Sequence, residues 1–220
     1  MAATAALKIL PRPIESHLIS PTERWRHLIG NILVASGFFM AALPNARNFA
    51  RGPADAIWTI GAILMGVLSL VRIPPRAAML DSRAFASSIA VFLLPCLMRA
   101  HRPSVGLIAS AGIAFEIGGV AMSQVARLYM GRSFGILPGN RGIVSKGPFR
   151  IIRHPIYAGW FFLTLGYLFS FPSWGNFMII IATLPFMMWR IMLEEELLGD
   201  DPEYREYQRL VPSRLVPGIF

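Results

Sequence analysis

The sequence predicts an all-α fold, a polytopic transmembrane helix bundle of about six spans, on three observations. Of the 220 residues, 55% are hydrophobic and only 15% charged, an oilier balance than soluble domains carry. Mean hydropathy is +0.53. Apolar stretches of roughly 16–22 residues with few charges recur along the chain, the length at which a helix crosses hydrocarbon fully or with some thinning of the bilayer.

In chain order, residues 1–27 carry prolines and mixed charge where a signal peptide needs an apolar core, so this segment is expected to stay cytosolic along the membrane surface. Residues 28–43, 54–71 and 84–98 are the first three spans, the third short and interrupted by Pro95. Residues 105–126, 156–170 and 174–193 are the last three, with FPSWG as a tight hairpin between the final two. The links PNARNFARGP, RIPPRAAMLDSR and RAHRPS hold the Pro, Gly and Arg that end helices and sit among headgroups. The chain thus divides into a cytosolic segment 1–27, N-terminal membrane helices 28–104 and a second membrane domain 105–220.

The net charge of +9 would suit nucleic acid if it formed one patch, but the cations gather in short loops. With both termini cytoplasmic, seventeen of the 21 basic residues lie inside and only Arg47, Arg51, Arg99 and Arg102 outside, which is the positive-inside pattern. The expected partner is therefore the lipid bilayer, and nucleic acid is set aside. Cys96 is the single cysteine, so there is no internal disulfide and no cysteine metal cluster; it reads as a packing residue. His17, His27, His101 and His154 form no i,i+4 pair, and no metal is assigned.

One connection is long. Residues 131–155, GRSFGILPGNRGIVSKGPFRIIRHP, include five glycines, and a loop of that length is either a flexible linker or has a task. The glycines follow no strand, and SKG is the wrong order for a phosphate-binding P-loop. At the loop's end stands RHPIYAG, residues 153–159. A residue before proline is pushed out of the α region and proline suits the first helical position, so His154 caps a helix that Pro155 opens. Free N–H groups and the positive dipole end favour an anion there, and Arg153 adds charge of the same sign. Tyr157 brings a hydroxyl and Gly159 leaves room for close approach. The plainer alternative is an interfacial Arg–His anchor with the tyrosine in an aromatic belt.

A second cluster is WRIMLEEELLGDDPEYREYQRLVPSRLVPGIF. On a helix Arg190 and Glu194 are i,i+4 and pair, whereas Glu195 is turned about 140° from Arg190 and is free for a ligand. Acids at a helix C-terminus oppose the macrodipole, so Glu194, Glu195 and Glu196 are expected to be kept for a partner. The following segment reads as a short amphipathic helix with Tyr204, Tyr207 and Leu210 near one face. Glu116 is the only acid deep in a span, and with Gly112, Gly118 and Gly119 beside it, it marks a helix–helix contact before it marks a site.

GRSF, GPFRIIRHPIYAG, R-x-x-x-E-E-x-x-L (Arg190, Glu194, Glu195, Leu198), EYREY and RLVP together resemble the isoprenylcysteine carboxyl methyltransferase family and its phospholipid methyltransferase relatives. The resemblance covers about the last 90 residues in one order and is specific as a set rather than motif by motif. It implies an integral membrane enzyme using S-adenosylmethionine, with the cytosolic loop and C-terminal helix closing the cofactor pocket. Arg153, His154, Pro155, Tyr157, Gly159 and Glu195 are the expected cofactor-binding residues, and Arg190 and Glu194 the expected catalytic ones. The expected substrate is lipophilic, enters from the bilayer and presents a carboxylate such as a prenylcysteine-like group. A lipid amine or a thiol are the alternatives. Membrane sterol reductases, which bind NADPH, resemble the same half more weakly: they read Asn where Ile156 stands.

Overall fold

The computed structural model describes residues 21–46, 53–79, 81–99 and 102–218. Most of the expected cytosolic segment, Arg47 and Arg51 of the first link, and His17 and His101 lie outside the described residues. Each expected apolar stretch is a helix: α1 (Pro21–Ala46), α2 (Pro53–Val71), α3 (Ser82–Leu93), α4 (Gly106–Met130), α5 (Pro155–Ser170) and α6 (Trp174–Leu198). A short seventh, α7 (Pro202–Leu210), follows. Among the described residues, 106–133 and 174–198 are long and apolar enough to cross a membrane, while 27–40, 59–71 and 82–97 are shorter apolar helices. Large apolar side chains point outward along them, including Leu33, Leu107 and Ile181, as a lipid-facing surface requires.

Local chemistry sets the boundaries. Asp81, Ser173 and Asp201 cap α3, α6 and α7, each side chain accepting from a first-turn amide at 2.9–3.1 Å, which satisfies donors the helix leaves free. Pro95 ends the regular part of α3, and Leu94–Leu97 continue as one 3-10 turn. Cys96 there is exposed, not packed as expected, its thiol donating to Phe92 O at 3.2 Å.

The bundle's closest packing joins α4 to α5. A Cβ on Gly119 would overlap the Gly159 carbonyl and the Leu163 amide, and one on Gly112 or Gly166 would overlap the facing helix in the same way. Two small residues seven apart on each helix let the backbones meet, as in other membrane helix pairs. Gly112 and Gly119 are therefore contact residues, whereas Gly118 has open space around it. Glu116 lies in this crossing and accepts from Ser170 Oγ at 2.6 Å. Gly159→Ala is expected to cost about 1–3 kcal/mol by overpacking, while Gly118→Ala should be neutral or gain up to ~1 kcal/mol of helix propensity. Thermal unfolding of both variants in detergent checks this, and equal melting would contradict the crossing.

The long glycine-containing loop is held in place. A two-residue antiparallel ladder pairs β1 (Ala77–Ala78) with β2 (Gly139–Asn140), Ile73 N donates to Arg132 O at 2.9 Å, and Met79 N to Pro138 O at 3.1 Å. Arg141 Nε donates to Ile73 O at 3.1 Å; burial, with Arg72 nearby, lowers the pKa of its guanidinium to about 10. Asn140 Nδ2 reaches Asp201 Oδ2 at 2.9 Å, tying the loop to the cap of α7. The loop is thus bonded to the segment after α2 and to the cap of α7, unlike a loose linker.

Candidate active site

The two sequence clusters meet. Arg153 and His154 precede α5, Glu194 and Glu195 occupy the last turns of α6, and the C-terminal strand of chain after α7 closes over both. Arg153 N donates to Ser213 O and His154 N to Arg214 O, both at 2.9 Å. The expected helix start at Pro155 is present with His154 as its cap residue, and both of these backbone donors are taken by the C-terminal segment.

Glu195 is 8% exposed and is not free, in contrast to the expectation from helical phase. Its Oε1 receives Arg153 Nε and Nη2 at 2.9 Å and lies 3.1 Å from His154 Nε2, while Oε2 receives Arg214 Nε at 2.9 Å. Arg153 also donates through Nη1 to Val211 O at 2.8 Å and Pro212 O at 2.6 Å. The carboxylate is thus the centre of a clamp that binds the C-terminal segment to the start of α5. Helical phase placed Glu195 away from Arg190 correctly, but could not foresee cations arriving from 42 and 19 positions away.

Glu194 is the acid that faces the cleft. It is 22% exposed, receives Arg190 Nη2 at 2.9 Å in the expected i,i+4 pair, and accepts from Tyr157 Oη at 3.0 Å. His154 Nδ1 stands 3.7 Å from its other oxygen. Arg190 is 2% exposed and also donates to Ile136 O of the loop at 2.6 Å, so one guanidinium joins α6, the loop and Glu194.

Four of these side chains, Arg153, His154, Tyr157 and Glu194, border one cleft. Its wall includes Glu194, Arg153, His154, Pro155 and Tyr157, with the loop from Ser133 to Val144 on one side and Tyr204 and Tyr207 of α7 on another. Arg190, Glu195 and Gly159 are not on that wall; Gly159 packs into the α4–α5 crossing against Ser123 and Gly119. Tyr204 and Tyr207 are buried among Ala126, Ile143, Phe149 and Val211, but Leu210 is 69% exposed, so the face of α7 is the tyrosine pair alone. Burial raises the pKa of both phenols, keeping them protonated. Arg214 is the clamp residue that sequence reasoning missed. Its signal was the repeated R-L-V-P at 209–212 and 214–217: Arg209 makes only an exposed 3.4 Å pair with Glu206, and the second copy's arginine reaches Glu195.

The ordered loop, the α5 start and the acids of α6 lie within a single family match. Residues 104–200 match the phospholipid methyltransferase family. That family includes members of the isoprenylcysteine carboxyl methyltransferase kind. No curated protein matches the chain.

Proposed function

We propose that the chain is an integral membrane methyltransferase that binds S-adenosylmethionine in the cleft and methylates a carboxylate on a lipophilic acceptor, with residues 105–220 carrying the machinery. The observation that carries this reading is the cleft-facing Glu194, held by Arg190 and Tyr157 in a segment that matches a methyltransferase family.

The residues fit the cofactor by their chemistry. A half-sheltered carboxylate favours a cation, whether sulfonium or ammonium, and the phenol rings and apolar loop residues beside it suit a flat base. S-adenosylmethionine supplies an electrophilic methyl group on a sulfonium. Protein groups then have to align the acceptor and exclude water. Arg190 fixes the Glu194 carboxylate and ties it to the loop through Ile136 O; Tyr157 fixes the same oxygen from α5. Arg153, through the Glu195 clamp, holds the C-terminal cover shut. A carboxylate acceptor is already ionised at neutral pH and needs no general base. An amine acceptor needs one, and the phospholipid description of the family makes a lipid amine the second reading, with Glu194 as the base.

Calorimetry on the detergent-solubilised protein is expected to show S-adenosylhomocysteine binding and no NADPH binding. The reverse result would establish the reductase reading instead. Methyl transfer to a panel of lipophilic acids, thiols and phosphatidylethanolamine is expected to favour acids; transfer to phosphatidylethanolamine alone selects the second reading. The same proposal sets six crossings with both termini cytoplasmic, since the cation bias requires it. Reporter fusions at Gly135 and Phe220 should read cytoplasmic and one at Pro172 external.

A further inference from the structure

Two buried polar groups on the cleft wall have no task in the arrangement described above. Arg127, in the last turn of α4, is 7% exposed and borders the cleft. Its Nη1 donates to Gln124 Oε1 at 3.2 Å, but Nε is buried with no partner. Arg153 and Arg190 each meet a carboxylate, whereas among the described residues none pairs with Arg127. On α7, the Tyr204 hydroxyl is likewise buried without a partner. Its neighbour one turn on, Tyr207, spends its own hydroxyl on Phe149 O at 2.7 Å, so anchoring α7 does not need Tyr204's. Ala126, next to Arg127 in the chain, packs in the same apolar cluster as Tyr204, so α4 and α7 meet beside the cleft that both Arg127 and Tyr204 border.

A buried guanidinium without a counter-charge is costly, and buried donors are nearly always satisfied. Both donors border a cleft open to a ligand, and both call for an acceptor of negative charge. We propose that Arg127 and the Tyr204 hydroxyl form an anion subsite of the cleft, taking a carboxylate or phosphate group of the bound ligand. The subsite rests on this geometry alone. Which molecule brings the anion rests on the methyltransferase reading, where it is either the amino-acid carboxylate of the methyl donor or the acid group of the acceptor. With Glu194 on the same wall beside Arg127, Arg141 and Arg153, of which Arg153 is held by Glu195, the cleft then offers a carboxylate as well as cations, which suits a ligand that is locally zwitterionic or a cation–anion pair.

The test uses the whole protein in neutral detergent. Inorganic phosphate, against chloride at equal ionic strength, should raise the melting temperature of the parent saturably; Arg127→Met should abolish the effect and Tyr204→Phe should weaken it several-fold. Arg127→Met should also melt no lower than the parent without ligand, because it removes an unpaired buried charge; a merely structural arginine would give the opposite sign. In a second arm, Arg127→Met should weaken S-adenosylhomocysteine binding by about 10- to 100-fold, the loss of a hydrogen bond to a charged group, and leave its decarboxylated analogue unaffected, if the donor's carboxylate fills the subsite. If the acceptor's acid fills it, homocysteine-product affinity stays and KM for acidic acceptors rises at least tenfold over that for amines. Equal action of phosphate on parent and Arg127→Met, including none on either, overturns the subsite. Arg127-dependent phosphate protection without any S-adenosylhomocysteine binding keeps the subsite and removes the methyltransferase reading.

Discussion

Glu195→Gln is expected to lower stability by about 3–5 kcal/mol, the cost of leaving one side of a buried ion pair without its partner, although the change preserves volume. The carboxylate is shared by Arg153, His154 and Arg214, and glutamine offers one neutral acceptor in place of two charged oxygens. The Arg153 guanidinium, 6% exposed, then keeps only the carbonyls of Val211 and Pro212. The damage should concentrate where the clamp acts, so hydrogen exchange at residues 211–216 should speed up before that of α4 or α5. S-adenosylhomocysteine affinity should fall with it, because the segment that opens follows directly on α7, whose Tyr204 and Tyr207 stand on the cleft wall. Glu196 is the control: it is one residue away and exposed, and Glu196→Gln should stay within about 0.5 kcal/mol of the parent. Thermal unfolding of both variants decides; equal melting would mean that the clamp does not hold the C-terminal segment.

What the sequence revealed and what it withheld follow from the range of each interaction. Helical phase acts over three or four residues, so the Arg190–Glu194 pair and the cap at His154 were legible. Small residues in an apolar span also announce a close helix contact, which Gly112 and Gly119 make. The register of that contact was not legible, because it depends on the partner helix; Gly159 accordingly looked like a pocket residue and is a packing residue. The same limit explains Glu195. Its freedom from Arg190 was a local fact, while its three partners, Arg153, His154 and Arg214, come from two other segments whose meeting is a tertiary event. Arg127 counted only as one more cytoplasmic cation. Its distinguishing mark was local after all: neither Ser123, Gln124, Met130 nor Gly131, the positions three and four away, supplies an acid to pair with it.

Glu194→Gln is expected to reduce methyl transfer by about 10²-fold, the scale on which a misplacement of around 1 Å acts, with a smaller effect on S-adenosylhomocysteine affinity. The reason is that one carboxylate receives Arg190 from its own helix and Tyr157 from α5 while facing the cleft. Removing the charge frees buried Arg190 and half-buried Tyr157 to move, and through the Arg190 bond to Ile136 O it loosens the loop beside the cleft. Arg190→Lys should weaken both connections, since both leave from the single terminal nitrogen Nη2 and the shorter lysine side chain, without the rigid guanidinium plane, does not hold its ammonium at that point. Tyr157→Phe removes only one bond, to a charged acceptor, and should cost at most about 1.5–3 kcal/mol of activation free energy. The three changes touch one carboxylate, so they should not add: a double-mutant cycle between Arg190→Lys and Glu194→Gln should give a coupling of about 0.5–3 kcal/mol. Cofactor affinity and turnover measured separately for each variant separate positioning from binding. Strictly additive effects, or turnover equal to the parent in all three, would reduce this cluster to a helix end at the membrane surface.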